Sequence, residues 1–141
     1  MKFDAVSDPD AIGVLLFTSG TTGEPKAVVL RQSHLASYVF MALEFAAAHP
    51  DEAGLVSVPP YHIAGISAIV SSLFTGRRIA YLTNFAPAGW IDAVADQRVT
   101  HAMVVPTMLG RVLDEVDARV SDGRGGIPTL RHLSYGGGRS T

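Results

Sequence analysis

The side chains best suited to chemistry lie in one short segment that combines hydroxyls, glycines and a lysine: Thr18, Ser19, Gly20, Thr21, Thr22, Gly23 and Lys26. Glycines let the backbone turn tightly and bring its N–H groups close to an anion. The hydroxyls add neutral hydrogen bonds, and the lysine adds a mobile positive charge. This combination predicts a loop that holds the phosphates of a nucleotide.

The spacing within this segment excludes the Walker-type phosphate loop. That loop has two glycines separated by four residues, and the second glycine is followed by Lys-Ser/Thr at the start of a helix. Here Gly20 and Gly23 are closer together, and Lys26 follows a proline and precedes an apolar run. The remaining interpretations are a phosphate loop of another type and a turn that binds no ligand.

Apolar runs on either side of the segment indicate the elements that position it. They predict strands at residues 14–17, 27–30, 55–58, 79–82, 102–105 and 132–135. Helices are predicted at residues 33–49 and 63–75, from Pro87, and after Thr107, which is expected to cap its helix. The helix at 33–49 is apolar nearly all round, which predicts deep burial.

The spacing of these elements predicts the topology. The later strands recur at the length of βα units, which favours a parallel sheet with helices on both faces and right-handed connections. The second strand follows the first too closely for a parallel crossover and is expected to pair antiparallel with it. The predicted fold class is α/β: a doubly wound, mostly parallel sheet with flanking helices and a short antiparallel hairpin around the phosphate loop. Residues 1–141 are expected to form a single subdomain.

Composition limits the range of functions. The 141 residues include no cysteine, which excludes disulfides, cysteine nucleophiles and thiolate metal sites. The net charge of −2 argues against nucleic-acid or membrane-surface partners, which usually need a basic patch. No run of ~18 apolar residues predicts a membrane span, and a cytoplasmic location is the default expectation. Because 48% of the residues are hydrophobic, some apolar surface is expected to meet another domain or subunit, with self-association of the isolated chain.

Two further motifs follow predicted strands. The first is a Pro-x-x-His-x-x-Gly sequence from Pro59 to Gly65, in which His62 opens a helix. The second is a glycine turn after the last predicted strand: Gly136, Gly137 and Gly138. Taken alone, His62 is expected to be a helix-capping or core histidine, and the glycines an ordinary turn.

Together the motifs resemble those of the adenylate-forming superfamily, which includes acyl-CoA synthetases, adenylation domains of peptide synthetases and beetle luciferases. The phosphate loop of that family reads Thr/Ser-Ser-Gly-Thr-Thr-Gly-x-Pro-Lys-Gly. This chain matches it from Thr18 to Lys26 and departs from it at Ala27, where an alanine fits if its φ is negative. The resemblance implies that His62 lies near the carboxylate substrate as a candidate catalytic residue, and that the glycine turn flanks the adenine and acyl pocket.

The resemblance implies an ATP-dependent, AMP-forming carboxylic acid–CoA ligase. In that family the carboxylate attacks the α-phosphate of ATP, and a thiol, often coenzyme A, then accepts the acyl group. ATP, Mg²⁺ and coenzyme A are the implied cofactors, the last two contacted mainly by other regions of the family fold. Amino-acid-activating relatives carry an aspartate in this region that meets the substrate amine. None occurs between Tyr61 and Gly76, so a fatty, aryl or other non-amino carboxylic acid is expected.

The resemblance covers only a middle piece of the family's large N-terminal domain. The segments that follow the glycine turn in that family do not occur before Thr141. The isolated chain is therefore expected to adenylate nothing at a useful rate. The alternatives are a self-standing, non-catalytic binding module with this fold and a different phosphate-binding enzyme that shares only the loop.

Overall fold

The computed structural model describes residues 7–19 and 25–136. The chain divides into two compact units, Met1–Glu44 and Phe45–Thr141. These are called unit 1 and unit 2 below.

Unit 1 contains a β-hairpin followed by a helix. Strand β1 (Ile12–Ser19) pairs antiparallel with β2 (Pro25–Arg31), and helix α1 (Gln32–Ala42) follows directly. The predicted antiparallel pairing of the first two strands is therefore confirmed. At the start of α1, the Nδ1 atom of His34 accepts a hydrogen bond from the backbone N–H of Arg31 at 3.2 Å.

Helix α1 is shorter than predicted, because it ends at Ala42 rather than at residue 49. The backbone leaves the helical conformation at Leu43, whose φ of −137° and ψ of 157° are extended, and Ala46 further on has a φ of 52°. The N–H of Ala46 donates a hydrogen bond at 3.0 Å to the carbonyl of Phe74. This bond joins segments distant in sequence, so helical periodicity could not reveal it.

The predicted deep burial of this helix is also wrong. Of the residues in α1, only Val39 is buried, while Phe40 is 70% exposed and Met41 is 88% exposed. The apolar character of the sequence indicated a need for burial, but it did not indicate that a surface of this chain would supply it.

Self-association of the isolated 141-residue chain stays a prediction, and the exposure of Phe40 and Met41 supports it. Sedimentation velocity is expected to show an average mass that rises with protein concentration. The double substitution of Phe40→Ser and Met41→Ser is expected to weaken that rise. A monomer at all concentrations would contradict the prediction.

Unit 2 is built on a four-stranded parallel sheet with strand order β4-β3-β5-β6. Its elements follow along the chain as β3 (Ala53–Val56), α2 (Ile63–Thr75), β4 (Arg78–Tyr81), α3 (Pro87–Asp96), β5 (His101–Val104), α4 (Pro106–Ser121) and β6 (His132–Tyr135). The predicted α/β fold class, with a mostly parallel sheet and flanking helices, is confirmed.

Helices cover both faces of this sheet. A Cβ added at Gly54 in β3 would lie 2.8 Å from the Oγ atom of Ser72, so this position faces α2. The next residue, Leu55, points to the opposite face and belongs to the buried core with Trp90 of α3 and Val112 of α4. Right-handed crossovers explain the arrangement, because α2 connects strands in one direction and α3 and α4 connect them in the other.

The helix ends in unit 2 follow familiar backbone preferences. Helix α2 ends at Thr75, and its C-cap residue Gly76 has a φ of 76°, the left-handed conformation that glycine adopts readily. Helix α4 has Pro106 at its first position and Val105 as its N-cap residue, so the predicted capping role of Thr107 is wrong. A proline at the first position lacks only an N–H that the helix would leave unpaired.

Polar side chains meet at the amino edge of the sheet. A carboxylate oxygen of Glu52 lies 2.9 Å from Arg77 and 3.8 Å from Nδ1 of His101. The His101 ring stacks on His132 with 4.5 Å between centroids, and its Nδ1 atom lies 2.8 Å from Oγ1 of Thr100. Burial, helped by the charge of Arg77 and opposed by that of Glu52, lowers the pKa of His101 from 6.5 to about 4.

Acidification is expected to destabilise unit 2 through His101. The unfolded chain takes up this proton near pH 6.5, but the folded chain takes it up only near pH 4. The contribution of His101 to the free energy of unfolding is therefore fully present above pH 6.5, and it is lost as the pH is lowered to about 4. The loss is at most about 3 kcal/mol, because solvent screens a partly exposed group. Denaturant unfolding at pH 7 and pH 4.5 should show a smaller loss for His101→Asn than for the unsubstituted chain. Equal losses would contradict this assignment.

Candidate active site

His62 lies where β3 gives way to α2. It is the N-cap residue of α2, with extended backbone angles, and its side chain makes no capping hydrogen bond. The residue is exposed, and its ring lies 5.2 Å from that of Tyr61. The capping and core interpretations of His62 therefore lose their support, and the imidazole is available to a ligand.

The turn before α2 is held by the backbone. The carbonyl of Pro59 accepts a hydrogen bond from the N–H of His62 at 3.0 Å. The carbonyl of His62 accepts one from Gly65 at 3.0 Å. A Cβ on Gly65 would lie 2.5 Å from the carbonyl oxygen of Pro59 and 2.7 Å from that of Val58. The glycine of the Pro-x-x-His-x-x-Gly motif is thus required for the helix to approach the strand end so closely.

The carboxyl edge of the parallel sheet brings the ends of several strands together. His62 follows β3, and Gly136 follows β6, which lies two strand spacings away, about 10 Å. The N–H of Gly136 donates a hydrogen bond to the carbonyl of Val104 at 3.3 Å, which ties the turn to the end of β5. Such an edge is where open α/β sheets bind ligands.

At this edge, the structural roles of two residues differ from those that the sequence predicts. A Cβ on Gly136 would have no atom of the described residues within 4 Å, so packing among those residues does not require glycine there. Thr107, predicted only as a cap, is exposed in the first turn of α4, beyond the central strand β5. A strand-Pro-Thr-helix sequence was the signal that could have placed its hydroxyl at this edge.

The hairpin of unit 1 carries the candidate phosphate loop. Thr18 and Lys26 are directly opposed partners at the end of the ladder, followed by Ser19 and Pro25. Lys26 is exposed. The described non-glycine residues with positive φ are Ala46 and Arg98, so Ala27 meets the condition of a negative φ.

The structure thus brings together Thr18, Ser19 and Lys26 at one end of the hairpin, and His62 and Gly136 at one edge of the sheet. The remaining predicted site residues lie outside the described residues: Gly20, Thr21, Thr22, Gly23, Gly137 and Gly138. Their proposed contacts stay predictions.

Residues 7–19 and 25–136 contain neither a metal-binding cluster nor a membrane-spanning helix. No group of three or more histidine, cysteine or acidic side chains in these ranges is placed to hold a metal ion. No helix within them has the length and apolarity needed to cross a membrane.

Comparison with known proteins supplies the family. The chain matches the family described as "AMP-binding enzyme" over residues 2–141. The 2-succinylbenzoate–CoA ligase of Bacillus licheniformis is 35% identical over 130 residues, which make up 92% of this chain and 26% of the relative. A fatty acid–acyl-carrier-protein ligase of Streptomyces coeruleorubidus is 33% identical over 133 residues, or 92% of this chain and 25% of the relative.

A solved structure agrees with this assignment. The o-succinylbenzoate coenzyme A synthetase from Bacillus subtilis, in complex with ATP and magnesium ion, matches with a TM-score of 0.75 and 25% identity. The match covers 99% of this chain and 28% of that one. The chain spans about a quarter of the length of these two relatives. Because the family match extends over residues 2–141, the chain belongs to the AMP-binding enzyme family, within the adenylate-forming superfamily.

Proposed function

We propose that this chain is the phosphate-binding core of an ATP-dependent, AMP-forming ligase that joins a carboxylic acid to coenzyme A. One observation carries the proposal: the hydroxyl- and glycine-rich loop lies between two directly paired strands, in a chain that matches the AMP-binding family over residues 2–141. A single polypeptide segment therefore carries both the family pattern and the hairpin that would present the loop.

The hairpin fits the phosphate tail of ATP. Attack of a carboxylate on the α-phosphate leaves negative charge on the departing β- and γ-phosphates. We assign the stabilisation of that charge to the loop hydroxyls and N–H groups and to Lys26, which is exposed. The described residues contain no cluster of acidic or histidine side chains suited to a metal. Mg²⁺ would therefore be held mainly by the phosphates and by other parts of the enzyme.

His62 fits the acyl side of the site. Its exposed imidazole stands at the carboxyl edge of the sheet and makes no capping bond. No aspartate that could meet a substrate amine occurs between Tyr61 and Gly76. The named substrates of the two relatives, 2-succinylbenzoate and a fatty acid, also lack an amino group. We therefore propose a non-amino carboxylic acid substrate, with aryl and fatty acids both retained.

An exchange assay tests the proposal. ATP–pyrophosphate exchange is measured with 2-succinylbenzoate, octanoate and phenylalanine, for the 141-residue chain and for the chain extended by its flanking reading frame. Exchange is expected only in the extended protein, and only with the first two acids or similar ones. Exchange by the 141-residue chain alone would overturn the expectation that this segment is insufficient.

The same assay addresses the alternative of a self-standing binding module. ATP binding by both proteins is followed by calorimetry alongside the exchange measurement. If neither protein binds ATP and a defined protein partner is found, the ligase proposal fails and the binding module is supported. ATP binding without exchange under any acid would instead favour a different phosphate-binding enzyme.

A further inference from the structure

One buried pair of polar side chains lies directly behind the turn that carries His62. The indole N–H of Trp90 in α3 donates a hydrogen bond to the Oγ atom of Ser57 at 3.1 Å. Trp90 is completely buried, and Ser57 is 5% exposed. Ser57 is the first residue after β3, five positions before His62.

We propose that Trp90 is a positioning residue for His62, because its bond to Ser57 fixes the turn that presents the imidazole at the sheet edge. The catalytic role of His62 rests on the proposed function. The positioning of the turn is a property of this chain and can be measured without any ligase activity.

The turn is held from both faces of the sheet. On the face covered by α3, Ser57 is bonded to Trp90, and the neighbouring Val58 is buried in the core. On the face covered by α2, the close approach of Gly65 fixes the carbonyls of Val58 and Pro59. His62 lies between these two anchored points, so movement of either one is expected to move its backbone.

The hydrogen bond sets a geometry that apolar packing alone would not set. Leaving a buried indole N–H or a buried hydroxyl without a hydrogen-bond partner costs free energy. Within the described residues, no buried side-chain nitrogen or oxygen lacks a hydrogen bond. A shift of the turn that separated Ser57 from Trp90 would leave both groups unpaired, so the bond opposes that shift in particular.

Amide hydrogen exchange of the 141-residue chain, followed by NMR, tests the inference. Trp90→Phe is expected to speed exchange at the N–H groups of His62 and Gly65 about tenfold more than at Val112 in α4. Ser57→Ala, which keeps the indole and the core volume, is expected to act at the same two amides. Equal acceleration at all three amides would overturn the inference.

Two further variants separate positioning from general loss of stability. Ile91→Val lowers packing in the same helix without touching the bond, and it is expected to accelerate exchange at all three amides alike. The double variant Trp90→Phe with Ser57→Ala should affect the turn no more than the stronger single variant, because both remove one interaction. If the accelerations of exchange caused by the two single substitutions multiplied in the double variant, the two side chains would not act through one hydrogen bond.

In the extended protein, the inference predicts a change in substrate binding. Trp90→Phe is expected to raise KM for the carboxylic acid several-fold with little change in KM for ATP. If the exchange pattern at His62 and Gly65 appears but these kinetic effects do not, the positioning stands and the assigned role of His62 fails.

Discussion

Replacing Lys26 with alanine is expected to lower the rate of ATP–pyrophosphate exchange about 100-fold in the extended protein. The lysine lies at the end of the hairpin, opposite Thr18. The proposed function assigns its charge to the departing pyrophosphate. That interaction strengthens as charge builds up in the transition state, so kcat should fall more than KM for ATP rises.

Two control variants define the origin of this loss. Lys26→Arg keeps the positive charge but replaces a compact ammonium with a planar guanidinium, so partial recovery is expected. Arg124→Gln removes a positive charge from an exposed ion pair with Asp122 and is expected to change the rate less than twofold. A Lys26→Ala enzyme with at least a third of the original rate would show that the lysine does not act on the phosphates.

The sequence predicted the hairpin and the parallel sheet because both follow from chain length between apolar runs. The interval between the first two strands leaves room only for a tight loop, and β1 and β2 indeed pair antiparallel. Strand order was beyond reach, because a pattern of buried residues does not say which strand is the neighbour. The observed order β4-β3-β5-β6 places β3 and β5 in the centre.

The end and the burial of α1 were mispredicted for one shared reason. Local apolar periodicity records what a segment prefers, whereas long-range contacts decide where it stops. The chain leaves the helix at the extended residue Leu43, and the segment that follows is held within unit 2 by the bond between Ala46 and Phe74. Exposure of Met41 shows likewise that hydrophobicity alone does not provide a covering surface.

Candidate site residues could be chosen from the sequence where the chemistry is visible in the residue type, as for Lys26 and His62, and their roles stay predictions. The supporting contacts were not visible. Nothing in the sequence relates Ser57 to Trp90, which are separated by 33 positions and meet only because α3 packs on the sheet. The glycine at 65 was recognisable as part of a motif, but the carbonyls that require it emerge only from the fold.

Replacing that glycine with alanine is expected to destabilise unit 2 by about 3 kcal/mol. The new methyl group would lie 2.5 Å and 2.7 Å from the carbonyl oxygens of Pro59 and Val58. Both contacts are with backbone, so neither can be relieved by rotating a side chain. The first turn of α2 must move away from β3 instead, which displaces His62 and unpacks Val58 from the core.

Thermal unfolding followed by the fluorescence of Trp90, the only tryptophan, reports on unit 2. Gly65→Ala is expected to lower Tm by roughly 15 °C. Gly110→Ala is the matched control, because it lies inside α4 and a Cβ there would contact nothing within 4 Å. Alanine favours helix over glycine, so this control should gain up to about 1 kcal/mol. If Gly65→Ala melted near the original temperature, the end of β3 would accommodate a methyl group at position 65. The close packing of α2 would then not hold His62 in a fixed position.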